Sequence, residues 1–218
     1  MNSNQASSLF RYGFYQFNEV TFKNGRVSPY TVRLPKLPQK FMFRDMAIST
    51  WNIRQISLFQ SVHFIGIANK GVPLAEAIYE YGLKLGKDTL LSIIYPRKME
   101  SSPKFAGDKT KITILVDNAV TTGETIAKVL DIIRPFGYKP TLVIRIFDRE
   151  DVGEDGLSTL ERIKKNNGLE LISIFKLRDI ISCLCTIELQ AILTYQSLYG
   201  TASFREWIGG KKCSLKLI

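Results

Sequence analysis

One stretch of the chain combines an apolar, strand-like run with an acid and several hydroxyl side chains. Residues 112–125 read ITILVDNAVTTGET, and an amphipathic run follows. The pattern predicts a buried strand, a tight loop and a helix; such a loop directs backbone N–H groups and the positive end of a helix dipole at one point, which suits a phosphate. Thr121, Thr122 and Thr125 would add hydroxyl donors, and Asp117 can accept hydrogen bonds from sugar hydroxyls. The stretch predicts a site for a phosphorylated sugar; the alternative is an ordinary strand–turn–helix with capping threonines.

Two cations follow other predicted strands. Lys70 comes after the apolar run 63–68, and Gly71 beside it permits a close backbone approach. A lysine in this position can act as a point charge against a diphosphate. Arg149 follows the run 141–147, and its planar guanidinium matches the geometry of a carboxylate. The alternatives are a solvated surface lysine and an ordinary arginine at a strand end.

Alternating strands and helices must position these residues. Strands are predicted at 63–68, 89–95, 112–116, 141–147 and 169–175, and helices at 73–82, 124–136 and 157–166. Elements of these lengths in this order predict an α/β fold with a mainly parallel sheet flanked by helices. Ligands of such sheets bind beyond the carboxyl ends of the strands, where the loops after Ala68, Asp117 and Asp148 should lie.

The flanking segments complete the predicted organisation. Helical spacing of apolar residues predicts further helices at 8–17, 41–60, 179–184 and 187–199. Strand-like runs at 19–22 and 28–34 surround an Asn-Gly turn, which is typical of a hairpin. The polar stretch 96–111 has no period. Because no repeat or low-complexity linker interrupts the chain, we expect a single domain over residues 1–200, followed by a tail at 201–218.

Composition limits the classes of partner. The chain has 218 residues, of which 45% are hydrophobic and 23% charged, and its net charge of +10 favours anionic ligands. The basic residues are scattered and form no recognisable nucleic-acid-binding motif, so a nucleic-acid partner is the minority interpretation. No apolar run approaches the roughly 20 residues that cross a bilayer, and the N-terminal residues do not resemble a secretory signal. We therefore expect a cytoplasmic protein that does not bind membranes.

The remaining side chains that could ligate a metal are expected to be structural. Cys183 and Cys185 lie in an apolar helical run, which predicts buried, reduced thiols rather than metal ligands. His63, the single histidine of the chain, starts a buried strand and is predicted to be structural as well.

These features together resemble a known family. ILVDNAVTTGET (114–125) resembles the diphosphate-sugar motif of type I phosphoribosyltransferases, which bind 5-phosphoribosyl-1-diphosphate. The chain is most similar to the orotate phosphoribosyltransferases among them. FKNGRVSPY (22–30), GIANKGVPLA (66–75), FDRED (147–151) and LTYQSLYG (193–200) resemble blocks of that family in the family's order, over about residues 8–200.

The resemblance implies the type I phosphoribosyltransferase fold, with an N-terminal helix and hairpin over residues 5–38 forming a small hood for the base. The residues implied in catalysis are Asp117, Arg97, Lys98 and Lys104. Those implied to bind phosphoribosyl diphosphate are Lys70, Asp117, Asn118, Thr121, Thr122, Gly123, Glu124 and Thr125, and those implied to bind orotate are Lys23, Thr121 and Arg149. Mg²⁺ would be bound through the diphosphate of the substrate, with no ligand directly from the protein. A homodimer is also implied, because the family's basic loop, here within 96–111, closes over the diphosphate and usually comes from the neighbouring subunit.

The chain departs from the family at several positions. Asn118 stands where the family usually has a second acid, and Asn69 replaces an aromatic residue. In the basic loop, Ser101 and Pro103 stand where the family has a catalytic lysine and a histidine, and Lys104 is the candidate substitute for that lysine. These departures predict weaker neutralisation of the diphosphate and slow turnover.

Three functions follow from the resemblance and the departures. The main prediction is an orotate phosphoribosyltransferase of pyrimidine nucleotide biosynthesis. The alternatives are a phosphoribosyltransferase for another base, and a weakly catalytic or non-catalytic regulatory protein that binds phosphoribosyl diphosphate.

Overall fold

The computed structural model describes residues 10, 12–22, 25–33, 40–96 and 108–211, without the side chains of Lys40, Asn69, Lys70 and Lys211. The predicted functional residues that lie outside these ranges are Lys23, Arg97, Lys98 and Lys104, together with Ser101 and Pro103.

The chain divides into two compact units. The sheet unit comprises Leu37–Phe147 and Thr159–Ile174. The hairpin unit comprises Met1–Lys36, Asp148–Ser158 and Phe175–Ile218.

The strands are β1 (Tyr15–Thr21), β2 (Val27–Val32), β3 (Ser61–Ile67), β4 (Asp88–Ile94), β5 (Ile112–Val116), β6 (Pro140–Asp148) and β7 (Glu170–Lys176). The α-helices are α1 (Lys40–Trp51), α2 (Arg54–Ser57), α3 (Ala68–Lys84), α4 (Glu124–Ile133), α5 (Thr159–Asn167), α6 (Leu177–Ile180), α7 (Thr186–Tyr199) and α8 (Ala202–Lys211). Short 3₁₀ turns follow α4 at Arg134–Phe136 and α6 at Ile181–Cys183.

The larger sheet has the strand order β4-β3-β5-β6-β7. β3 pairs in parallel with β4 and with β5, and β5 pairs in parallel with β6. β3 and β5 are buried along almost their whole length, because parallel strands are covered by helices on both faces. The predicted α/β fold, a mainly parallel sheet flanked by helices, is confirmed. The register sets Gly66 of β3 beside Val116 of β5, so these two strands end next to each other.

Helix α4 covers the sheet through one apolar face. Ile126, Val129, Leu130 and Ile133 are buried at the spacing that lines one side of a helix. They belong to the same apolar cluster as Leu115 of β5. The packing fixes the start of α4 relative to the end of β5, and the loop between them carries the predicted phosphate site.

The hairpin unit contains the small antiparallel pair β1–β2, in which Tyr15 lies opposite Val32. Tyr30 of β2 is fully buried, and the ring of Tyr195 on α7 meets it edge-on with the centroids 6.1 Å apart. This is the N-terminal hairpin that the Asn-Gly turn predicts.

Several predicted elements differ from the observed ones. The helical prediction for 8–17 is wrong from Tyr15 onward, because that residue starts β1; aromatic residues suit strands, and pairing with β2 decides the conformation. The segment 41–60 forms two helices, α1 and α2, rather than one. The predicted loop after residue 68 is already the first turn of α3, which continues through Pro73 near its N-terminus.

The predictions for cysteine and histidine had different outcomes. Burial of Cys183 and Cys185 is wrong: both are exposed, the first in a 3₁₀ turn and the second at the N-cap of α7. His63 is fully buried, and its Nε2 lies 2.8 Å from Ser92 Oγ, as a structural histidine should. Burial lowers its pKa to about 4, so it is neutral at physiological pH.

Among the helices of the described residues, none is both long enough and apolar enough to cross a bilayer.

Candidate functional site

The loop Asp117–Gly123 joins β5 to α4 and is held to the sheet at its start. The Asp117 N–H donates to Ile144 O at 3.0 Å, and the Ile146 N–H donates to Asn118 O at 3.3 Å. Pairing with β6 therefore continues past the end of β5, and the backbone of Asp117 and Asn118 is held to the sheet.

The other end of the loop is a left-handed glycine. Gly123 has φ +86° and is the N-cap of α4. A Cβ at this position would lie 2.6 Å from Ile163 Cδ1 of α5. Only glycine satisfies both the backbone angle and this close packing, which explains the glycine in the motif.

The loop presents donors that have no acceptor in the part of the chain that the structure describes. Within the described residues, the N–H groups of Thr121, Thr122 and Gly123 donate no hydrogen bond to the protein. The threonine residues at 121, 122 and 125 are exposed, and Glu124 is exposed in the first turn of α4. N–H groups and hydroxyls at a helix N-terminus form a cradle that can bind a phosphate.

Asp117 is the first residue of this loop and is only 8% exposed. Burial raises its pKa to about 6, against the opposing effect of hydrogen bonds from the N–H groups of Asn118 and Ala119. The Asn118 N–H lies 2.7 Å from Asp117 Oδ1. At neutral pH the group is a carboxylate, which can accept hydrogen bonds from sugar hydroxyls.

The start of α3 packs against the end of β5. A Cβ added at Gly71 would lie 2.5 Å from Val116 O and 3.0 Å from Asp117 Cα. Ala68, which joins β3 to α3, has φ +53°, a left-handed conformation that is rare for alanine. The structure therefore brings the backbone around Lys70 next to Asp117, while the Lys70 side chain lies outside the described residues.

Arg149, the predicted base-binding arginine, belongs to the hairpin unit and is held from several sides. Its Nη2 donates to Ser28 Oγ at 2.7 Å, its Nε to Asp151 Oδ2 at 3.1 Å, and its Nη1 to Tyr30 O at 3.3 Å. The guanidinium carbon lies 4.1 Å from the ring centroid of Tyr30 and 4.8 Å from that of Phe22. These contacts fix the plane of the guanidinium.

A second arginine shares the same carboxylate. Arg26 Nη2 lies 2.9 Å from Asp151 Oδ2, and the Tyr195 hydroxyl donates to this oxygen at 3.0 Å. The Arg26 guanidinium also lies over the ring of Tyr199, at 4.9 Å. Two guanidinium groups and one carboxylate, bordered by aromatic rings, form a cationic cluster that suits a flat anion.

The backbone of this cluster is held in an unusual conformation. Glu150, between Arg149 and Asp151, has φ +55° and is 4% exposed. Its carboxylate accepts hydrogen bonds from the Arg178 N–H at 2.9 Å and from Arg178 Nε at 2.6 Å. The ion pair with Arg178 thus holds the side chain of a residue whose backbone is left-handed.

Sequence reasoning missed Arg26, Asp151 and Tyr195 as members of this cluster. Each of them lies inside a block of sequence that resembles the family, which marks the segment as relevant. The neighbouring residues in the sequence, however, do not indicate a role for these side chains.

The described residues contain no group of three or more His, Cys, Asp or Glu side chains that could hold a metal ion. Asp117 and Asn118 offer oxygen atoms beside the cradle. Mg²⁺ usually keeps several waters and binds phosphate oxygens of the substrate. The donor set thus fits an ion that is held mainly by a bound diphosphate.

Comparison with known proteins gives consistent results in sequence and fold. No protein-family model matches the chain. Over 207 residues it is 28% identical to the orotate phosphoribosyltransferase of Methylococcus capsulatus, covering 86% of this chain and 92% of that one. Over 205 residues it is 29% identical to the orotate phosphoribosyltransferase of Thioalkalivibrio sulfidiphilus, with 86% and 92% covered.

The solved structure of orotate phosphoribosyltransferase from Francisella tularensis matches with a TM-score of 0.71 at 20% identity, covering 89% of this chain and 98% of that one. Adenine phosphoribosyltransferase from Thermoanaerobacter pseudethanolicus matches with a TM-score of 0.52 at 14% identity, covering 78% and 99%. At these identities, the two structures establish the likeness of the fold.

Proposed function

We propose that this protein is an orotate phosphoribosyltransferase. The proposal starts from a sequence that is most similar to orotate phosphoribosyltransferases and from the fold of the type I phosphoribosyltransferases. It converts orotate and 5-phosphoribosyl-1-diphosphate into orotidine 5′-monophosphate and diphosphate, a step of pyrimidine nucleotide biosynthesis. The single observation that carries the proposal is a loop that begins at a buried carboxylate and contains three successive N–H groups without an acceptor among the described residues.

The sheet unit supplies the residues for the sugar. The N–H groups and hydroxyls of Thr121, Thr122 and Thr125 bind the 5′-phosphate at the start of α4. Asp117 accepts hydrogen bonds from the ribose hydroxyls, and Lys70 binds the diphosphate. The backbone approach at Gly71 supports the assignment of Lys70, because it brings that segment to Asp117.

The hairpin unit supplies residues for the base. Orotate is a flat anion with a carboxylate, and a guanidinium whose plane is fixed can bind such a group through its charge and a remaining N–H. Arg149 has this role in the proposal, assisted by Lys23. The aromatic rings around Arg149 support it, since they keep the guanidinium plane fixed.

In the proposed reaction, the bond between the anomeric carbon and the diphosphate oxygen breaks, the anomeric carbon bonds to a ring nitrogen of orotate, and the proton of that nitrogen passes to the departing diphosphate. Asp117 orients the ribose while positive charge develops on the sugar, and Arg97, Lys98 and Lys104 stabilise the departing diphosphate. Mg²⁺, entering with the substrate, would neutralise part of the diphosphate charge. The protein works in the cytoplasm.

An assay of the purified protein tests the proposal. Orotate, phosphoribosyl diphosphate and Mg²⁺ are mixed with the protein, and the absorbance of orotate is followed. We expect a loss of absorbance that requires both substrates. The same assay with adenine, hypoxanthine or uracil in place of orotate is the control for base specificity. If another base were consumed and orotate were not consumed above background, the assignment of orotate as the substrate would be contradicted.

We also propose a homodimer in which each subunit donates the basic loop to the other. The expected mass in solution is twice the 24.8 kDa of one chain. Arg97→Ala removes a loop residue and Asp117→Asn a residue of the sugar site, so each variant alone should be inactive. Mixing them should restore activity through dimers that contain one intact site, and no recovery after subunit exchange would contradict the shared site.

The departures in the basic loop favour one competing function, a regulatory protein that binds phosphoribosyl diphosphate with little turnover. Ser101 and Pro103 lack the charge and the proton donor that the family has there. Calorimetry that detects tight binding of phosphoribosyl diphosphate, together with no turnover, would favour this function. Ser101→Lys with Pro103→His would then increase the rate strongly if the loop alone limits the chemistry.

A further inference from the structure

Two arginines without a predicted role bind successive carbonyl groups of the phosphate loop. Arg145 Nη1 donates to Val120 O at 3.0 Å, and Arg162 Nη1 donates to Thr121 O at 3.1 Å. We propose that Arg145 and Arg162 are positioning residues that turn the N–H groups of Thr121 and Thr122 toward the 5′-phosphate. This inference deepens the proposed function and rests on it.

The geometry of the peptide unit supports the inference. No peptide bond among the described residues is cis, and the C=O and N–H of a trans peptide point in opposite directions. When Arg145 holds the carbonyl of Val120, the N–H of Thr121 points away from Arg145. In the same way, Arg162 holds the carbonyl of Thr121 and thereby sets the direction of the Thr122 N–H.

Arg145 is fixed and buried below the loop. It belongs to β6, is 4% exposed, and its Nε donates to Ser173 Oγ of β7 at 2.8 Å. The Val120 side chain is buried in the apolar core, so this loop residue is held both by its side chain and by its carbonyl. A guanidinium in a central strand needs acceptors for its protons, and the loop carbonyl is one of them.

Arg162 acts from α5, the helix that also packs on the end of the loop. Its neighbour Ile163 occupies the space beside Gly123, where a Cβ would lie only 2.6 Å from Ile163 Cδ1. The helix thus fixes the Thr121 carbonyl and the left-handed turn at Gly123 together. The cradle is organised before a phosphate binds, which lowers the ordering cost of binding.

Arg162→Gln is the decisive variant, because this side chain is only partly buried and its removal should leave the core intact. Lys165→Gln is the matched control, since it removes one positive charge from the exposed face of the same helix. Ribose 5-phosphate is the probe, measured by calorimetry, because it carries the 5′-phosphate and needs no base. We expect about tenfold weaker binding for Arg162→Gln, wild-type binding for Lys165→Gln, and partial recovery for Arg162→Lys.

Steady-state kinetics separate positioning from a general structural effect. For Arg162→Gln we expect the KM for phosphoribosyl diphosphate to rise about tenfold, while kcat and the KM for orotate change by less than about twofold. If both KM values rose, kcat fell by a similar factor and the melting temperature decreased, the inference would be overturned. Arg145→Lys, which keeps the charge but shortens the reach, should weaken ribose 5-phosphate binding as well.

The outcomes distinguish this inference from the proposed function. Equal ribose 5-phosphate affinity in the wild type, Arg162→Gln and Lys165→Gln overturns the positioning role. If Arg162→Gln binds ribose 5-phosphate about tenfold more weakly but the wild type does not turn over orotate, the positioning role is supported and the proposed function is contradicted. A wild type that binds no ribose 5-phosphate contradicts both.

Discussion

At the scale of single residues, Asp117 combines two properties that a sugar-binding acid needs. It is almost completely buried, and it begins a loop in which three N–H groups have no acceptor among the described residues. Burial is unfavourable for the charged form, and the hydrogen bonds from Asn118 and Ala119 compensate only in part, so the pKa rises to about 6. The ionised carboxylate therefore lowers the free energy of unfolding, and it is the form that can accept hydrogen bonds from a ligand.

The raised pKa predicts how stability depends on pH. The pKa of Asp117 in the folded state, about 6, exceeds the usual 3.8. The protonated carboxyl therefore contributes to the free energy of unfolding; this contribution is fully present below pH 3.8 and is lost as pH rises through 6. Asp117→Asn removes this dependence. We expect the variant to be more stable than the wild type at pH 7.5, by up to about 3 kcal/mol, and to bind phosphoribosyl diphosphate more weakly.

Urea unfolding at pH 4 and pH 7.5 measures the effect. Asp131→Asn, on the exposed side of α4, is the control and should leave the pH dependence unchanged. A variant Asp117→Asn that is less stable than the wild type at pH 7.5 would contradict the account.

Arg149 allows the guanidinium geometry to be separated from its charge. Arg149→Lys keeps the positive charge but removes the planar fork that is held by Ser28, Tyr30 and Asp151. We expect the KM for orotate to rise at least about tenfold, with unchanged binding of ribose 5-phosphate. Arg205→Lys, on an exposed position of α8, is the matched control. Equal orotate KM in the two variants would contradict a fork-specific role.

At the scale of elements, the sugar site depends on how α3 meets β5. The register places Gly66 beside Val116, and Gly71 in the first turns of α3 leaves no room for a side chain against Val116 O. The left-handed backbone at Ala68 makes the change of direction from β3 to α3. Two loops that are far apart in the sequence therefore share one edge of the sheet.

Gly71→Ala should disturb this junction. The added Cβ would lie 2.5 Å from Val116 O, so α3 or β5 must shift, at a cost of about 1–3 kcal/mol in stability. Ribose 5-phosphate should also bind more weakly, because Asp117 follows Val116 directly. Calorimetry and urea unfolding measure both effects.

Gly209→Ala is the control for this substitution. Gly209 lies in α8 with open space around its Cβ position, and alanine favours helix there by up to about 1 kcal/mol. If Gly71→Ala were as stable as Gly209→Ala, the close approach would have no structural role.

At the scale of the whole molecule, the residues proposed for the sugar and those proposed for the base belong to different compact units. The single domain predicted over residues 1–200 stays a prediction, and it requires that both units unfold together. The two tryptophans of the chain make this measurable, because Trp51 lies in the sheet unit and Trp207 in the hairpin unit.

Two variants with one tryptophan each test the single domain. Trp51→Phe leaves Trp207 as the reporter of the hairpin unit, and Trp207→Phe leaves Trp51, which is buried and donates to Ile78 O, as the reporter of the sheet unit. Unfolding in urea, followed by fluorescence, should give midpoints that agree with those from circular dichroism of the same variant. Separate transitions for the two reporters would mean two domains.

Elements defined by adjacent residues were easier to predict than elements that depend on contacts between distant parts of the chain. The strand at 112–116 is predicted with its observed bounds, because its apolar run, acid and glycine are adjacent in sequence. The spacing of aromatic residues around Tyr15 predicts a helix, but this spacing is ambiguous, and pairing with Val32 makes the residue part of a strand. The apolar neighbours of Cys183 and Cys185 predict core positions, but these residues lie in a 3₁₀ turn and at a helix cap, where both are exposed.

The sequence by itself determined the order of strands and helices and the chemistry of the phosphate loop, because hydrophobic period, turn residues and hydroxyl groups are local properties. Tertiary structure decided what holds that loop: Arg145 reaches Val120 across 25 positions and Arg162 reaches Thr121 across 41. It also decided that Arg26 and Arg149 share Asp151. Such contacts join residues that are distant along the chain, and they form only when packed strands and helices bring those residues together.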